Sequence, residues 1–378
     1  MIGIILAGGP PKQLRHVTGS ETPRPFVKVV KELLVERHVR GLQRHVDKLY
    51  LVSDHPIAAE FCRRTGSCSF IEQRAPGVEG AICSAVSTLR ADDQVVIVYG
   101  DIYAEEQLLD SAISRSLEEG QNAIAVALSP VSRASFMRVK IEDPLTGRIA
   151  KLGEGPFVFA GVMVMSPRLL AEGLCQGGTS LPEFLNKLAR VGRLVASAWR
   201  GFWVDVDTPW DLMIAVRLEL MKLSKVEISS NAKVSERATL EPPVYIEGNV
   251  VVDHNAVIKG PVYLASGSFV GAHSFVREYV AVMEGAHIGA YTEVKRSVVY
   301  DGVRISSFSY ITDSIIGSGA SVAPYTVTLN IPSVQLPEGL ALSAIHPFEP
   351  VKVGAIISAA SSTRPFQVLQ PGELYLGE

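Results

Sequence analysis

Three apolar runs in the N-terminal part of the chain end in groups suited to phosphate and metal ions. Ile5-Leu6-Ala7-Gly8-Gly9 leads into Pro10-Pro11-Lys12-Gln13-Leu14-Arg15, a glycine-containing loop with cations whose backbone N–H groups can wrap around phosphate oxygens. It is not a Walker A loop, and Gly-Gly-Pro after a strand also serves as a plain turn. Val95-Val96-Ile97-Val98 continues into Tyr99-Gly100-Asp101, which leaves an acid just past a buried run. A Mg²⁺ ligand belongs there, and so does an aspartate that finishes a turn. Trp203-Val204-Asp205-Val206-Asp207 sets two carboxylates on one side of an extended segment. Thr208-Pro209 then begins a helix, which Asp207 or Thr208 can cap.

The elements that must position these groups alternate in type. Ile2 to Ala7, Lys48 to Ser53, Val95 to Tyr99, Ala123 to Leu128, Met137 to Ile141 and Val158 to Met165 read as buried strands. Leu33 to His45, Gly80 to Leu89, Glu105 to Glu119, Leu181 to Ala189 and Trp210 to Leu223 read as helices. That order predicts a Rossmann-like, doubly wound α/β domain over residues 1–223, with ligands outside the carboxyl ends of its strands. Ser224 to Asn231 reads as the joint to a second domain, 224–378.

In that second domain every sixth residue from Ile228 to Val294 is Ile, Val or Leu: Ile228, Val234, Leu240, Ile246, Val252, Ile258, Leu264, Val270, Val276, Val282, Ile288 and Val294. Chance would give such a run with a probability on the order of one in ten million. Six helical steps of 100° scatter over several faces, whereas an even step keeps to one face of an extended chain. With a small residue or Val two before each aliphatic, the unit puts one large and one small side chain inward. The frame slips after Val294 and resumes at Ile305, Ile311, Ile316 and Val322, which suggests loops where the prism binds something or meets a neighbour.

Composition narrows the function classes. The 378 residues are 47% hydrophobic with a net charge of −3, enough for two cores and without a basic patch for nucleic acid. No apolar run of about eighteen residues crosses a membrane, and the N-terminus lacks a basic leader, so a soluble cytoplasmic protein is expected. Cys62, Cys68, Cys83 and Cys175 show no CxxC pairing, so neither a zinc site nor a disulfide framework is expected and a reduced compartment fits.

In this order, and with a hexapeptide prism behind them, the motifs resemble the sugar-1-phosphate nucleotidylyltransferases, most of all the archaeal bifunctional type that carries a left-handed β-helix acetyltransferase domain. The family opening, roughly LAAGxGTRLxPLT, is similar to Leu6-Ala7-Gly8-Gly9 with Leu14 and Thr18. Its PKPL and the helix after it resemble Pro23-Arg24-Pro25-Phe26 and Lys31-Glu32-Leu33-Leu34-Val35-Glu36. The base-reading Gln and glycine-rich helix start correspond to Gln73 and Gly80-Ala81, and the EKP and AGIYVF segments to Glu154-Gly155-Pro156 and Ala160-Gly161-Val162-Met163.

The resemblance implies attack by a sugar-1-phosphate oxygen on the α-phosphorus of a nucleoside triphosphate, with release of pyrophosphate and with Mg²⁺ as cofactor. It implies metal ligands at Asp101 with Asp205 or Asp207 and a phosphate cation at Arg24, while Lys12 and Arg15 can reach the triphosphate from neighbouring positions. Nucleotide contacts fall at Leu6, Ala7, Gly8, Gly9, Gln73 and Gly80, and sugar-phosphate contacts at Gly100, Glu154 and Gly161. The loop Arg of the family is Gln13 here, the loop Gly is Pro11, the PKP lysine is Arg24 and the EKP lysine is Gly155. The family's HLxYxGD segment corresponds to Ser307-Phe308-Ser309-Tyr310-Ile311-Thr312-Asp313, which puts Ser307 where the acetyltransferase base stands.

Two readings follow. One is a nucleotidylyltransferase acting on a hexose- or N-acetylhexosamine-1-phosphate, with UTP or dTTP favoured by Gln73 and the β-helix reduced to a trimerisation scaffold. The other is a non-catalytic regulatory or nucleotide-sugar-binding paralogue, working in a hetero-complex with an active homologue. A homotrimer or dimer of trimers is expected, because Phe269, Phe275, Tyr279, Tyr291 and Phe308 lie off the inward register and need cover.

Overall fold

The apolar runs Ile2–Leu6, Lys48–Ser53, Val95–Tyr99, Asn122–Leu128, Arg138–Asp143 and Phe157–Met165 are strands in the computed structural model, which describes residues 1–120, 122–129, 133, 135–143, 145–176, 178–332 and 352–377. With Ser69–Glu72, Arg148–Leu152 and Leu194–Trp199 they form, among the described residues, a nine-stranded sheet. Its first four strands run Ser69–Glu72, Lys48–Ser53, Ile2–Leu6, Val95–Tyr99, all parallel, as in one half of a Rossmann sheet. The next strand, Phe157–Met165, is antiparallel to Val95–Tyr99, so the sheet is mixed. Alternate residues feed opposite cores. Ile4, Val95 and Ile97 pack into one, Ile5, Val96 and Val98 into the other.

The helices Leu34–Leu42, Gly77–Val86, Gln107–Glu119 and Leu181–Arg190 lie where the sequence predicts them. Pro56–Thr65 is an addition: Pro56 at its first turn and left-handed Gly66 after its end are helix signals that the apolar pattern alone did not expose. The cysteines require a correction. Cys62 and Cys68 form a disulfide across the Gly66 turn, and Cys83 and Cys175 form a second that joins sequence positions 92 apart. Spacing did not reveal them, because the Cys83–Cys175 pair is brought together by packing of Gly77–Val86 against Pro167–Gly173 and not by a local motif.

The chain divides into two compact units, the first Met1–Pro10, Thr22–Val27 and Glu32–Val206, the second Pro11–Glu21, Lys28–Lys31 and Asp207–Glu378. The helix Pro209–Leu220, buried nearly all round, therefore goes with the second unit and not with the domain that precedes Leu223 in the sequence. The second unit is a left-handed parallel β-helix, its short strands forming three sheets in which each residue pairs with the one a coil further on. Val226, Val244, Val262 and Val280 stack at intervals of eighteen residues. The frame slip is a coil shortened to seventeen: Ala281 pairs with Val298, His287 with Arg304 and Val294 with Ile311.

The neighbour met at that slip is the chain's own helix. Arg296 and Asp313 turn the shortened corner with φ of 46° and 48°. There Arg296 grips Asp313 at 2.7 and 2.9 Å, Arg217 from the helix reaches it at 3.2 Å, and Asn330 donates to it at 2.7 Å. Burial raises the Asp313 carboxyl's proton affinity, but these donors outweigh it and hold the pKa below the ordinary carboxylate range. Two N-terminal segments dock on the same unit. His16 and Val17 carbonyls accept from the Ala359 and Ser318 amides at 2.7 and 2.8 Å, and the Lys28 carbonyl accepts from Tyr300 Oη at 2.8 Å.

Candidate active site

In the parallel part of the sheet the strand order reverses between Ile2–Leu6 and Val95–Tyr99, so the crevice outside their carboxyl ends is where a ligand fits. Gly8 and Gly9 leave the first strand, and Gly100 and Asp101 leave the second. A Cβ on Gly8 would lie 2.8 Å from both Asp54 Oδ1 and Gln73 Oε1, so only glycine lets the loop pass between those side chains. Gly9 N donates to Asp54 Oδ1 at 3.2 Å. Gln73 Nε2 donates to the carbonyls of Ala75 and Gly77 at 2.8 and 3.1 Å, which braces the turn and leaves Oε1 toward Gly8. Gly80 lies against the Ala75 carbonyl with no room for a side chain. Leu6 and Ala7 act through the backbone: the Leu6 carbonyl accepts from Gly100 N, and the Ala7 carbonyl from Ser53 Oγ, both at 2.9 Å.

Around Asp101 the geometry is tight. A Cβ on Gly100 would lie 2.8 Å from Pro25 Cγ, so glycine admits the Arg24-Pro25 turn. Arg24 Nη2 then lies 2.9 Å from Asp101 Oδ2. The strand Trp203–Asp205 pairs antiparallel with Ile102–Ala104, and Val206 N donates to the Asp101 carbonyl at 2.9 Å. That ladder sets Asp101 and Asp205 at neighbouring strand ends. From behind, helix Leu34–Leu42 holds the turn: Arg37 Nε donates to the Ala104 carbonyl at 2.8 Å and His38 Nε2 meets the Ile102 carbonyl at 3.0 Å. Burial depresses the His38 pKa to about 4, so the imidazole is neutral and donates.

Beside Asp205 lies a cleft of about 290 Å³, lined among others by Glu79, Tyr99, Phe136, Gly161 and Trp203. That is the lower end of small-molecule sites, a volume for a sugar rather than a whole nucleotide. Burial first, then the charges of Asp101, Glu79 and Asp205, keep the Tyr99 phenol protonated far above its usual range. Gly161, at φ 78° and with Tyr99 Cβ 3.1 Å from where its own Cβ would be, keeps one wall thin.

Lys12 and Asp207 belong to the second unit, where Lys12 Nζ lies 2.8 Å from Asp207 Oδ1. A capping box fixes the segment that carries Asp207: Thr208 Oγ1 accepts from Asp211 N, and Asp211 Oδ2 accepts from Thr208 N at 2.8 Å. Arg15 opens the short helix Arg15–Thr18 and is exposed. Thus the chain passes from one unit to the other inside the phosphate-loop motif, between Pro10 and Pro11.

Comparison with known proteins agrees with this architecture. Residues 3–167 match the MobA-like NTP transferase domain and 258–334 the GMPPB C-terminal domain. The chain is 33% identical to a bifunctional protein GlmU of Methanococcus maripaludis strain C7, over 88% of this chain and 81% of the relative. It belongs to the sugar-1-phosphate nucleotidylyltransferase family. It is also 31% identical to a putative mannose-1-phosphate guanyltransferase of Sulfolobus acidocaldarius, over 64% and 70% of the two chains. The fold is shared with a UDP-glucose pyrophosphorylase from Acinetobacter baumanii, at 16% identity and a TM-score of 0.51 over 60% of this chain and 95% of that one.

Set against the family pattern, Glu154 lies outside the cleft lining: it is half exposed and pairs with Lys151 at 3.1 Å. Gly155 is more than a lost lysine. Its φ is 112°, and a Cβ there would run into the Val139 carbonyl and lie 2.7 Å from Lys140 N. Asp54 and Glu79 were missed by the sequence reading. Asp54 stands just past the strand Lys48–Ser53, the same signal that picked out Asp101, whereas Glu79 had no signal until the helix Gly77–Val86 was placed beside the cleft.

Proposed function

We propose that this protein is a Mg²⁺-dependent nucleotidylyltransferase that joins a nucleoside triphosphate to a hexose- or N-acetylhexosamine-1-phosphate in the cytoplasm and releases pyrophosphate. The observation that carries the reading is the placement of Asp101 and Asp205 at the ends of adjacent strands, where Asp205 pairs with Ile102 next to Asp101, beside a sugar-sized cleft. The acids suit the metal. Mg²⁺ is held by one or two carboxylates plus substrate phosphates rather than by an all-protein cage, and among the described residues no closed cluster of three metal-ligating groups occurs. Asp101 and Asp205 would hold the metal, which when bound would supply positive charge to offset that of the phosphates.

The protein's own residues do the rest. Gly8 and Gly9 turn backbone toward the nucleotide, and Arg24 supplies a cation to its phosphates. With Nε2 engaged by the backbone, Gln73 Oε1 is left as an acceptor, which suits the ring N–H of uracil, thymine or guanine. Gly100, Gly161 and Glu79 line the path of the sugar phosphate.

The regulatory alternative draws on one observation, the occluded Gly155 position, which leaves the family's sugar-phosphate cation absent. One assay separates the two readings: pyrophosphate release from the common triphosphates with glucose-1-phosphate or N-acetylglucosamine-1-phosphate, in Mg²⁺ and in EDTA. Turnover in Mg²⁺ that Asp101→Asn abolishes supports the enzyme. Nucleotide-sugar binding without turnover by any pair of substrates supports the paralogue.

A further inference from the structure

The cleft beside Asp205 has a chemical bias that its volume does not explain. Its lining comes wholly from the first unit, and among the described residues it holds two acids, Glu79 and Asp205, and no lysine or arginine. Tyr99, Phe136, Phe159 and Trp203 make much of the rest aromatic. The rings stand in edge-to-face pairs, Tyr99 with Phe159 at 5.4 Å and Phe136 with Trp203 at 5.6 Å, and Trp203 Nε1 is fixed by donating to the Ala160 carbonyl at 2.9 Å. Asp205 has a use in holding metal, whereas Glu79 has none in the transfer as described. Glu79 is the third residue of helix Gly77–Val86, and its Oε1 accepts from Leu181 N, at the start of helix Leu181–Arg190, at 2.8 Å. A glutamine carbonyl would accept that bond as well, so the brace does not account for the charge. In a cleft that admits a phosphate ester, an extra carboxylate repels the ligand unless the ligand also carries a cation.

From this lining, and resting on the nucleotidylyl-transfer reading, we infer that the sugar phosphate is an amino-sugar 1-phosphate whose amine is free and protonated, and that Glu79 selects it. The ammonium donates to the Glu79 carboxylate and lies among ring faces that attract cations. A sugar hydroxyl in the same place can donate to Glu79 but brings no charge. An acetamide brings a carbonyl oxygen, which the carboxylate repels, and more bulk than a free amine in a cleft already at the lower end of small-molecule sites. The field that favours an ammonium also acts on Tyr99, whose phenol is kept protonated by burial first and then by the charges of Asp101, Glu79 and Asp205. The amine takes no part in bond making: a phosphate oxygen of the sugar forms the new bond to the α-phosphorus, and pyrophosphate leaves with the electron pair of the bond that breaks. Glu79 thus determines specificity and touches no reacting atom.

The test follows pyrophosphate release by the full-length chain in Mg²⁺ with the common triphosphates, offering glucosamine-1-phosphate and galactosamine-1-phosphate against the matching hexose and N-acetylhexosamine 1-phosphates. The free amines are expected to be used with a kcat/KM about tenfold or more above either other set, chiefly through KM. In Glu79→Gln, which keeps an acceptor for Leu181 N, that advantage should vanish: the amino sugars lose about tenfold while the neutral hexoses stay level or improve. Thermal melting checks that the variant folds. An equal loss for all sugars in Glu79→Gln would make the residue a brace and overturn the inference. So would a wild type that uses glucose-1-phosphate or N-acetylglucosamine-1-phosphate as well as glucosamine-1-phosphate, and that ranking decides even if Glu79→Gln does not fold. A wild type that turns over none of these sugars with any triphosphate overturns the nucleotidylyl-transfer reading itself.

Discussion

His38 shows how a residue far from any substrate governs the site. It is buried, with a pKa depressed to about 4, and it meets the carbonyl of Ile102 next to Asp101. Because the folded value lies below the unfolded one near 6.5, the stabilisation is fully present above about pH 6.5 and is lost as pH falls through about 4. Acidification from pH 7 to 4 should therefore lower stability by about 3 kcal/mol through this group alone. Denaturant titrations should find that slope in the wild type and not in His38→Gln. Gly155 supports a second prediction. Restoring the family lysine by Gly155→Lys should not raise turnover and should cost about 2 kcal/mol or more of stability, since the side chain must start at positive φ against the Val139 carbonyl. A stable, faster variant would show that the strand Arg138–Asp143 yields there.

At the scale of elements, the site is made of strand ends, and what fixes those ends is packing between neighbours. The Cys83–Cys175 disulfide ties helix Gly77–Val86, which carries Glu79, to the segment after Pro167–Gly173, and it closes a loop of 92 residues. Cross-links of that span restrict the unfolded chain by about 2–4 kcal/mol. Cys83→Ser is expected to lower the free energy of unfolding by that amount, and dithiothreitol should lower the wild type to the same level. No response to reductant would mean that the thiols are free in solution. The Cys62–Cys68 pair closes only six residues, and its removal should matter less.

For the whole molecule, the β-helix is expected to decide assembly. One corner carries a ladder of stacked rings, His273, Tyr291, Phe308, Tyr325 and Phe366, with centroids 4.8 to 5.3 Å apart. Tyr291, Phe308, Tyr325 and Phe366 are 54%, 49%, 44% and 71% exposed, more apolar edge than a monomer ordinarily leaves in water. Phe269, by contrast, is partly covered by its stack on His287. We expect light scattering to give a trimer or a multiple of it, and Phe308→Glu to shift the mass toward the monomer. A monomeric wild type would refute this. Ser307 lies at the same corner and cannot accept a proton at neutral pH, so no coenzyme A above background is expected from acetyl-CoA and glucosamine-1-phosphate.

The sequence by itself determined the two kinds of module. Side-chain periodicity is a local property: a six-residue step can be satisfied only by a parallel coil, and apolar runs ending in Gly or Asp mark strand ends wherever the strands go. Asp101, Gly8 and Gly9 stand out for that reason, whereas Gly161, inside the strand Phe157–Met165, stands out only through the family resemblance. Tertiary structure alone decided which groups meet. The division of the phosphate loop at Pro10, the grip of Arg217 and Arg296 on Asp313, the Cys83–Cys175 bond and the closed space at Gly155 each depend on contacts between segments distant in sequence. The frame slip near Val294 could be seen in the sequence. That it accommodates the chain's own helix could not, because a missing residue marks a corner without naming what packs against it.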